Sequence, residues 1–180
     1  AAMLHLTLRG TPTLYQGEEL GMESVPIPPD RVQDPWERNE PGHGLGRDPV
    51  RTPIAWETGP GAGFTTGVPW LPIDTRPEMC VEIQARDDGS MLTLYQRLLA
   101  LRRAEPALTI GSYRTLAVDD DLYCYERKHG DRSLAIALNF SGEERPLARG
   151  GATLLSTHAR EQGHEALTLA PNEGRIISLE

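Results

Sequence analysis

The sequence predicts an α/β segment followed by an all-β, antiparallel segment. Three patterns carry this. The chain opens with a helical stretch that stops at Gly10 and passes straight into a short apolar strand, the αβ step of an α/β protein. Residues 91–104 repeat apolar side chains at three-to-four spacing and stop before Pro106. From Ser112 onward the pattern becomes short strands separated by turn residues, which suggests an antiparallel sandwich.

Met3, Leu4, Leu6 and Leu8 give the opening helix an apolar side, and Gly10 suits its stop. Thr11–Tyr15 reads as a mostly buried strand, with Pro12 acceptable at its start. A buried parallel strand needs neighbours on its sides, and no βαβ partners occur in this sequence. The orphan strand and the start in mid-helix predict a truncated domain. Residues 23–90 are rich in glycine and proline and show no sustained period. So long an irregular segment is either functional or disordered. Trp36, Trp56 and Trp70, with mixed charges around them, favour order.

The 91–104 helix carries Met91, Leu92, Leu94, Tyr95, Leu98, Leu99 and Leu101 on one side. Asp87, Asp88 and Ser90 are its capping candidates, Arg97, Arg102 and Arg103 suit its carboxyl half, and Pro106 ends it. Strands are expected at 112–118, 122–127, 133–140, 152–157, 165–169 and 174–179. Turns are expected at Asp119-Asp120-Asp121, Lys128-His129-Gly130-Asp131, Ser141-Gly142-Glu143, Gly150-Gly151 and Pro171-Asn172-Glu173-Gly174.

A net charge of −8 argues against a nucleic-acid partner, because phosphate binding needs a positive field. No apolar run is long enough to span a membrane, and no signal-peptide pattern is present. The two cysteines, Cys80 and Cys124, suit a reducing, cytoplasmic setting, with a single bridge between them as the alternative. His5, His43, His129, His158 and His164 are scattered without ligand spacing. There is no phosphate loop, serine elbow or twelve-residue calcium pattern, so neither a metal nor a cofactor is expected.

Hydrolysis by a pair of carboxyl groups, one as nucleophile, needs the two about 5–5.5 Å apart. The candidates are Glu18, Glu19, Glu40 and Asp48. Glu18 and Glu19 point to opposite faces of an extended strand and cannot form the pair together. Nothing places Asp48 against either, so all of these acids read as structural and no catalytic residue is assigned. Arg47 and Asp48 are the sharper pair, since a guanidinium offers a planar fork for a sugar hydroxyl or a carboxylate. Arg47 either contacts substrate or pins the loop through a salt bridge, and Asp48 either orients Arg47 or Arg51 or itself touches substrate. Tyr15 either lines a site at the strand end or packs in the core. Trp56 and Trp70 read as gap-fillers, and Trp36 is the better stacking candidate.

The stretches TPTLYQGEELGM (11–22), GRDPVRTPIAW (46–56) and GFTTGVPWLPI (63–73) resemble exo-acting α-glucosidases of the α-amylase superfamily, glycoside hydrolase family 13. VQDPWE (32–37) and GLGRDP (44–49) are closer to the bacterial α-glucosidases, of oligo-1,6-glucosidase type, than to trehalose synthases or sucrose isomerases. The resemblance implies that residues 1–108 are the C-terminal end of a catalytic (β/α)8 barrel, with a long substrate-side loop at 23–90. It implies that 109–180 form a C-terminal antiparallel β-sandwich. A closed barrel needs roughly 250 residues, more than the 180 present. The family's catalytic Asp, Glu and Asp lie upstream of the matching segments, so this chain alone is expected to be inactive. In the family, the arginine at the position of Arg47 reaches the pocket beside the cleaved bond, which makes Arg47, Asp48 and Tyr15 the substrate-binding candidates. The implied substrate is an α-glucoside or a malto- or isomalto-oligosaccharide. The implied protein partner is the missing N-terminal barrel portion or a second copy. A stand-alone carbohydrate-binding or interaction module is the competing reading, and a catalytically dead partner subunit is a third.

Overall fold

The computed structural model describes residues 1–158 and 167–179. Among these residues the helices are α1 (Ala2–Thr7), α2 (Pro35–Asn39), α3 (Val81–Gln84), α4 (Met91–Ala104) and α5 (Pro106–Thr109). The strands follow as β1 (Ser112–Val118), β2 (Leu122–His129), β3 (Arg132–Asn139), β4 (Arg145–Pro146), β5 (Thr153–Ser156), β6 (Thr168–Leu169) and β7 (Gly174–Ser178). The chain gathers into two compact units: Ala1–Thr13 with everything from Leu94 onward, and Leu14–Thr93.

The first unit is built on a five-stranded antiparallel sheet in the order β1-β2-β3-β7-β5, with β4 and β6 pairing as a separate ribbon. Alternation along β3 explains the layers. Leu134, Ile136 and Leu138 join Tyr125, Leu155 and Ile176 on one face, packed with Met3 and Leu6 of α1, Leu98 of α4 and Leu108 of α5. The intervening Ala135 and Ala137 join Leu122 and Ile177 on the other face, against Leu147 and Leu169 beside the ribbon. The sandwich is therefore unequal, five strands against two, and helices cover the opposite side of the larger sheet.

The turn chemistry matches the sequence. His129 pairs with Arg132 across a two-residue loop, and Gly130 has φ +59°, which suits the first central position of a type II′ hairpin. Before β7, Glu173 N–H donates to Ala170 O at 3.1 Å, with Pro171 and the left-handed Asn172 (φ +56°) at the central positions of a type II-like turn.

Two arginines, one fully buried and one partly buried, tie α1 to this sheet. Arg127, fully buried, donates to the carbonyls of Thr7 (2.5 Å), Gly111 (3.1 Å) and Ser112 (3.2 Å). Arg102 donates to Leu6 O and Gly10 O at 2.7 Å and to Leu108 O at 2.8 Å. Together they satisfy carbonyls that the end of α1 leaves without intrahelical partners. Arg102 thus works across the fold rather than only along its own helix.

The second unit contains little regular structure and is held by side chains and short turns. The amide of buried Gln84 donates to Leu20 O (2.8 Å) and Glu78 O (2.7 Å), and its carbonyl accepts Leu92 N–H at 3.0 Å. Ser90 is the cap expected for α4: its Oγ accepts Thr93 N–H at 3.1 Å. Val81 N–H donates to Ala55 O at 2.9 Å beside an isolated parallel bridge between Ala55 and Cys80.

Three expectations need correction. Thr11–Tyr15 forms no strand ladder among the described residues, and Leu14 and Tyr15 are 38% and 48% exposed. The run is apolar enough for a buried strand, but no strand among the described residues pairs with it. Glu18 and Glu19 lie on a 3-10 turn (Glu18–Leu20), not on an extended strand, so the opposite-face argument does not apply to them. The strand expected at 165–169 is seen only at Thr168–Leu169, since 165, 166 and His164 lie outside the described residues, and the short β4 was not anticipated. Cys80 and Cys124 are free thiols. No helix among the described residues is long and apolar enough to cross a membrane.

Candidate functional site

The predicted site residues lie on the second unit, around one turn and one helix start. Asp34 and Pro35 open α2, with proline at the first helical position and the Asp34 carboxylate accepting Trp36 N–H at 2.9 Å. Thirteen residues on, Arg47 precedes a 3-10 turn (Asp48–Val50) that also has proline in its first turn. Asp48 is buried, and its Oδ2 accepts the N–H groups of Gln33 (2.6 Å) and Asp34 (2.8 Å). Those bonds fasten the turn to the start of α2.

Asp34 is the centre of this arrangement. Its side chain is fully buried, and it accepts Arg47 Nε at 2.6 Å and Arg47 Nη2 at 3.3 Å, a two-point fork. It also accepts Arg47 N–H at 3.2 Å and Arg51 Nη1 at 3.4 Å. The Arg47 side chain is half-exposed, and its Nη1 has no partner among the described residues. The hydrogen bond from Arg47, then that from Trp36 N–H, hold the Asp34 carboxyl well below the usual carboxylate range despite its burial. Arg47 is raised in turn, first by its bond to Asp34, with the charges of Asp34 and Asp48 acting in the same direction. Arg47 and Asp48 are thus neighbours on one turn that is fastened to the start of α2.

Two cavities share Pro49 of this turn. The larger, about 850 Å³, is lined by Ile27, Asp30, Val32, Glu37, Arg38 and Asp48 among others. The smaller, about 120 Å³, is lined by Tyr15, Glu18, Ser24 and Thr52, and the buried Thr52 hydroxyl has no hydrogen-bond partner. Glu37 shapes the rim of the larger one by accepting Gly42 N–H (2.8 Å) and Gly46 N–H (3.3 Å). Trp36, Trp56 and Trp70 are all more than half exposed, so none of them fills a core within this chain. Among the described residues no group of three or more His, Cys, Asp and Glu is arranged to hold a metal ion.

The carboxylate that holds Arg47 is thus Asp34, not Asp48. Sequence reasoning passed over Asp34 because its ion pairs span 13 and 17 residues of irregular chain. A local signal was present all the same: Asp immediately before Pro marks a helix start, and such an aspartate is fixed in place by its capping bond.

The profile of the α-amylase catalytic domain matches residues 1–111. A glucan 1,6-α-glucosidase of Streptococcus pneumoniae is 33% identical over 99% of this chain and 37% of its own length. An oligo-1,6-glucosidase of Parageobacillus thermoglucosidasius is 35% identical over 83% of this chain and 30% of its own. Among solved structures, the trehalulose synthase MutB of Pseudomonas mesoacidophila superimposes with a TM-score of 0.80 at 30% identity, over 99% of this chain and 37% of that one. The isomaltulose synthase PalI of Klebsiella gives 0.81 at 27% identity. The chain spans about a third of the length of these relatives. The match to a catalytic-domain profile, followed by an antiparallel sandwich, agrees with the end of a (β/α)8 barrel and the sheet domain after it. On both sequence and fold, this chain belongs to the α-amylase family.

Proposed function

We propose that the protein carrying this chain is a retaining α-glucosidase that removes terminal α-linked glucose from malto- or isomalto-oligosaccharides. The observation that carries this reading is the Asp34–Arg47 clamp in a chain whose relatives are named as 1,6-glucosidases. A half-exposed guanidinium fixed at two of its nitrogens presents its remaining donors in one orientation, as a site does when it holds a sugar hydroxyl. Arg47 is the substrate contact, Asp48 braces its turn, and Tyr15 lines the adjoining surface.

In this reading residues 1–108 complete the catalytic barrel and 109–180 form its β-sandwich. The aspartate nucleophile, the glutamate acid/base and the second aspartate lie outside this chain, which contributes a pocket wall and has no activity alone. Retention follows from two successive displacements at the anomeric carbon. The enzyme carrying this chain should hydrolyse maltose or isomaltose, and with p-nitrophenyl α-glucoside, whose only sugar product is the cleaved glucosyl residue, proton NMR should show α-glucose before mutarotation. β-Glucose as the first sugar from the aryl glucoside, or no hydrolysis of either disaccharide, would overturn the proposal.

A further inference from the structure

We propose that Asp34 is a positioning residue for substrate binding and turnover, acting through Arg47; this rests on the α-glucosidase reading above. The geometry separates two tasks of one carboxylate. One task is structural: an oxygen of Asp34 caps α2 through Trp36 N–H. The other has no structural necessity at the helix: the same carboxylate takes Nε and Nη2 of a half-exposed arginine on a different turn. A cap needs only one acceptor, which serine supplies as well as aspartate. The fork needs two oxygens and a charge.

An arginine side chain has several rotatable bonds, and a free one samples many rotamers. With Nε and Nη2 tied to a buried, ionised carboxylate, the guanidinium plane is fixed and Nη1 is the donor left over. Arg51 adds a second cation to Asp34 at 3.4 Å, so the carboxylate sits between two guanidinium groups and holds both sides of the turn. Misplacing a substrate-positioning group by about 1 Å can cost on the order of 100-fold in rate. Asp34 is therefore expected to matter to catalysis without touching the sugar.

The test is a double-mutant cycle in the complete enzyme that carries this chain. Asp34→Ser keeps a cap for α2 and removes the fork. It should lower kcat/KM on maltose or isomaltose by about 10–100-fold, mainly in kcat, with a thermal transition still cooperative. In an Arg47→Ala background the same change should cost less than about twofold, because the group it positions is already gone. Multiplicative losses in the two backgrounds, or full activity of Asp34→Ser, would overturn the inference. If Asp34→Ser does not fold, Asp34→Asn, which also caps, runs the same cycle with the same criteria. An Arg47→Ala enzyme with undiminished activity would instead defeat the underlying functional reading, so the two failures are distinguishable.

Discussion

Replacing Glu173 with alanine should lower the unfolding free energy of the sheet-containing unit by about 3–5 kcal/mol. Glu173 and Arg175 are both fully buried, and Arg175 reaches the carboxylate through Nε at 3.1 Å and through Nη2 at 2.8 and 2.9 Å. Ser156 Oγ and Ala170 N–H donate to the same carboxylate at 2.7 and 2.8 Å, and Arg175 also donates to Thr168 O at 2.9 Å. Truncation at 173 takes from the buried Arg175 guanidinium, beside the ladder between β3 and β7, the carboxylate that accepts its bonds at 2.8, 2.9 and 3.1 Å. Removing one partner of a buried pair costs far more than the pair contributes relative to apolar residues. Glu173→Leu combined with Arg175→Met should therefore recover most of the loss.

The pH dependence of this pair has a definite sign. Burial opposes ionisation of Glu173, but the bonds from Ser156, Ala170 and Arg175 outweigh it and hold the carboxyl below its ordinary value of 4.5. A depressed folded value means that the stabilisation is fully present above that ordinary value and is lost as pH falls through the folded one. Urea titrations at neutral pH and in acid measure both effects. A Glu173→Ala loss under about 1 kcal/mol at neutral pH would mean that water or local rearrangement solvates Arg175, contrary to its observed burial.

Arg47→Ala should reduce kcat of the complete enzyme by about 100- to 1000-fold, the usual cost of losing a donor that acts on developing charge. Arg47→Lys should recover little. An ammonium is a point charge without the planar fork, so it cannot both occupy the two Asp34 oxygens and present a further donor. Stability should change much less than rate, because the guanidinium is half-exposed and Asp34 keeps Arg51 and the Trp36 and Arg47 N–H groups. Kinetics on an α-glucosyl disaccharide, with thermal melting as the control, check both statements. A variant that loses stability but retains kcat would make Arg47 a loop pin and nothing more.

What was legible in the sequence was local. Ser90 as the cap of α4, Gly130 in the β2–β3 turn and Pro171-Asn172 before β7 follow from the conformations those residues favour, and neighbours along the chain suffice to read them. Contacts between distant segments were not legible. The fork from Asp34 to Arg47 joins turns within a glycine- and proline-rich stretch that has no period to set which side chains meet. The carbonyl-binding roles of two arginines were not legible for a related reason. Composition marks arginine as a surface residue, and only the fold shows that Arg102 and Arg127 have carbonyls waiting at the end of α1. Thr11–Tyr15 shows the converse: its residue types announce burial, yet no strand among the described residues pairs with it and Leu14 and Tyr15 are exposed.

In the proposed glucosidase this chain supplies a pocket wall and not the reacting groups. The first test is hydrolysis of p-nitrophenyl α-glucoside by the 180-residue chain, alone and mixed with the N-terminal portion of the barrel. No hydrolysis by the chain alone and activity on mixing are expected. Robust hydrolysis by the chain alone would contradict this assignment, because two of the acids assigned structural roles would then be catalytic. Silence in both conditions, with sugar still bound by the chain, would favour a stand-alone binding module.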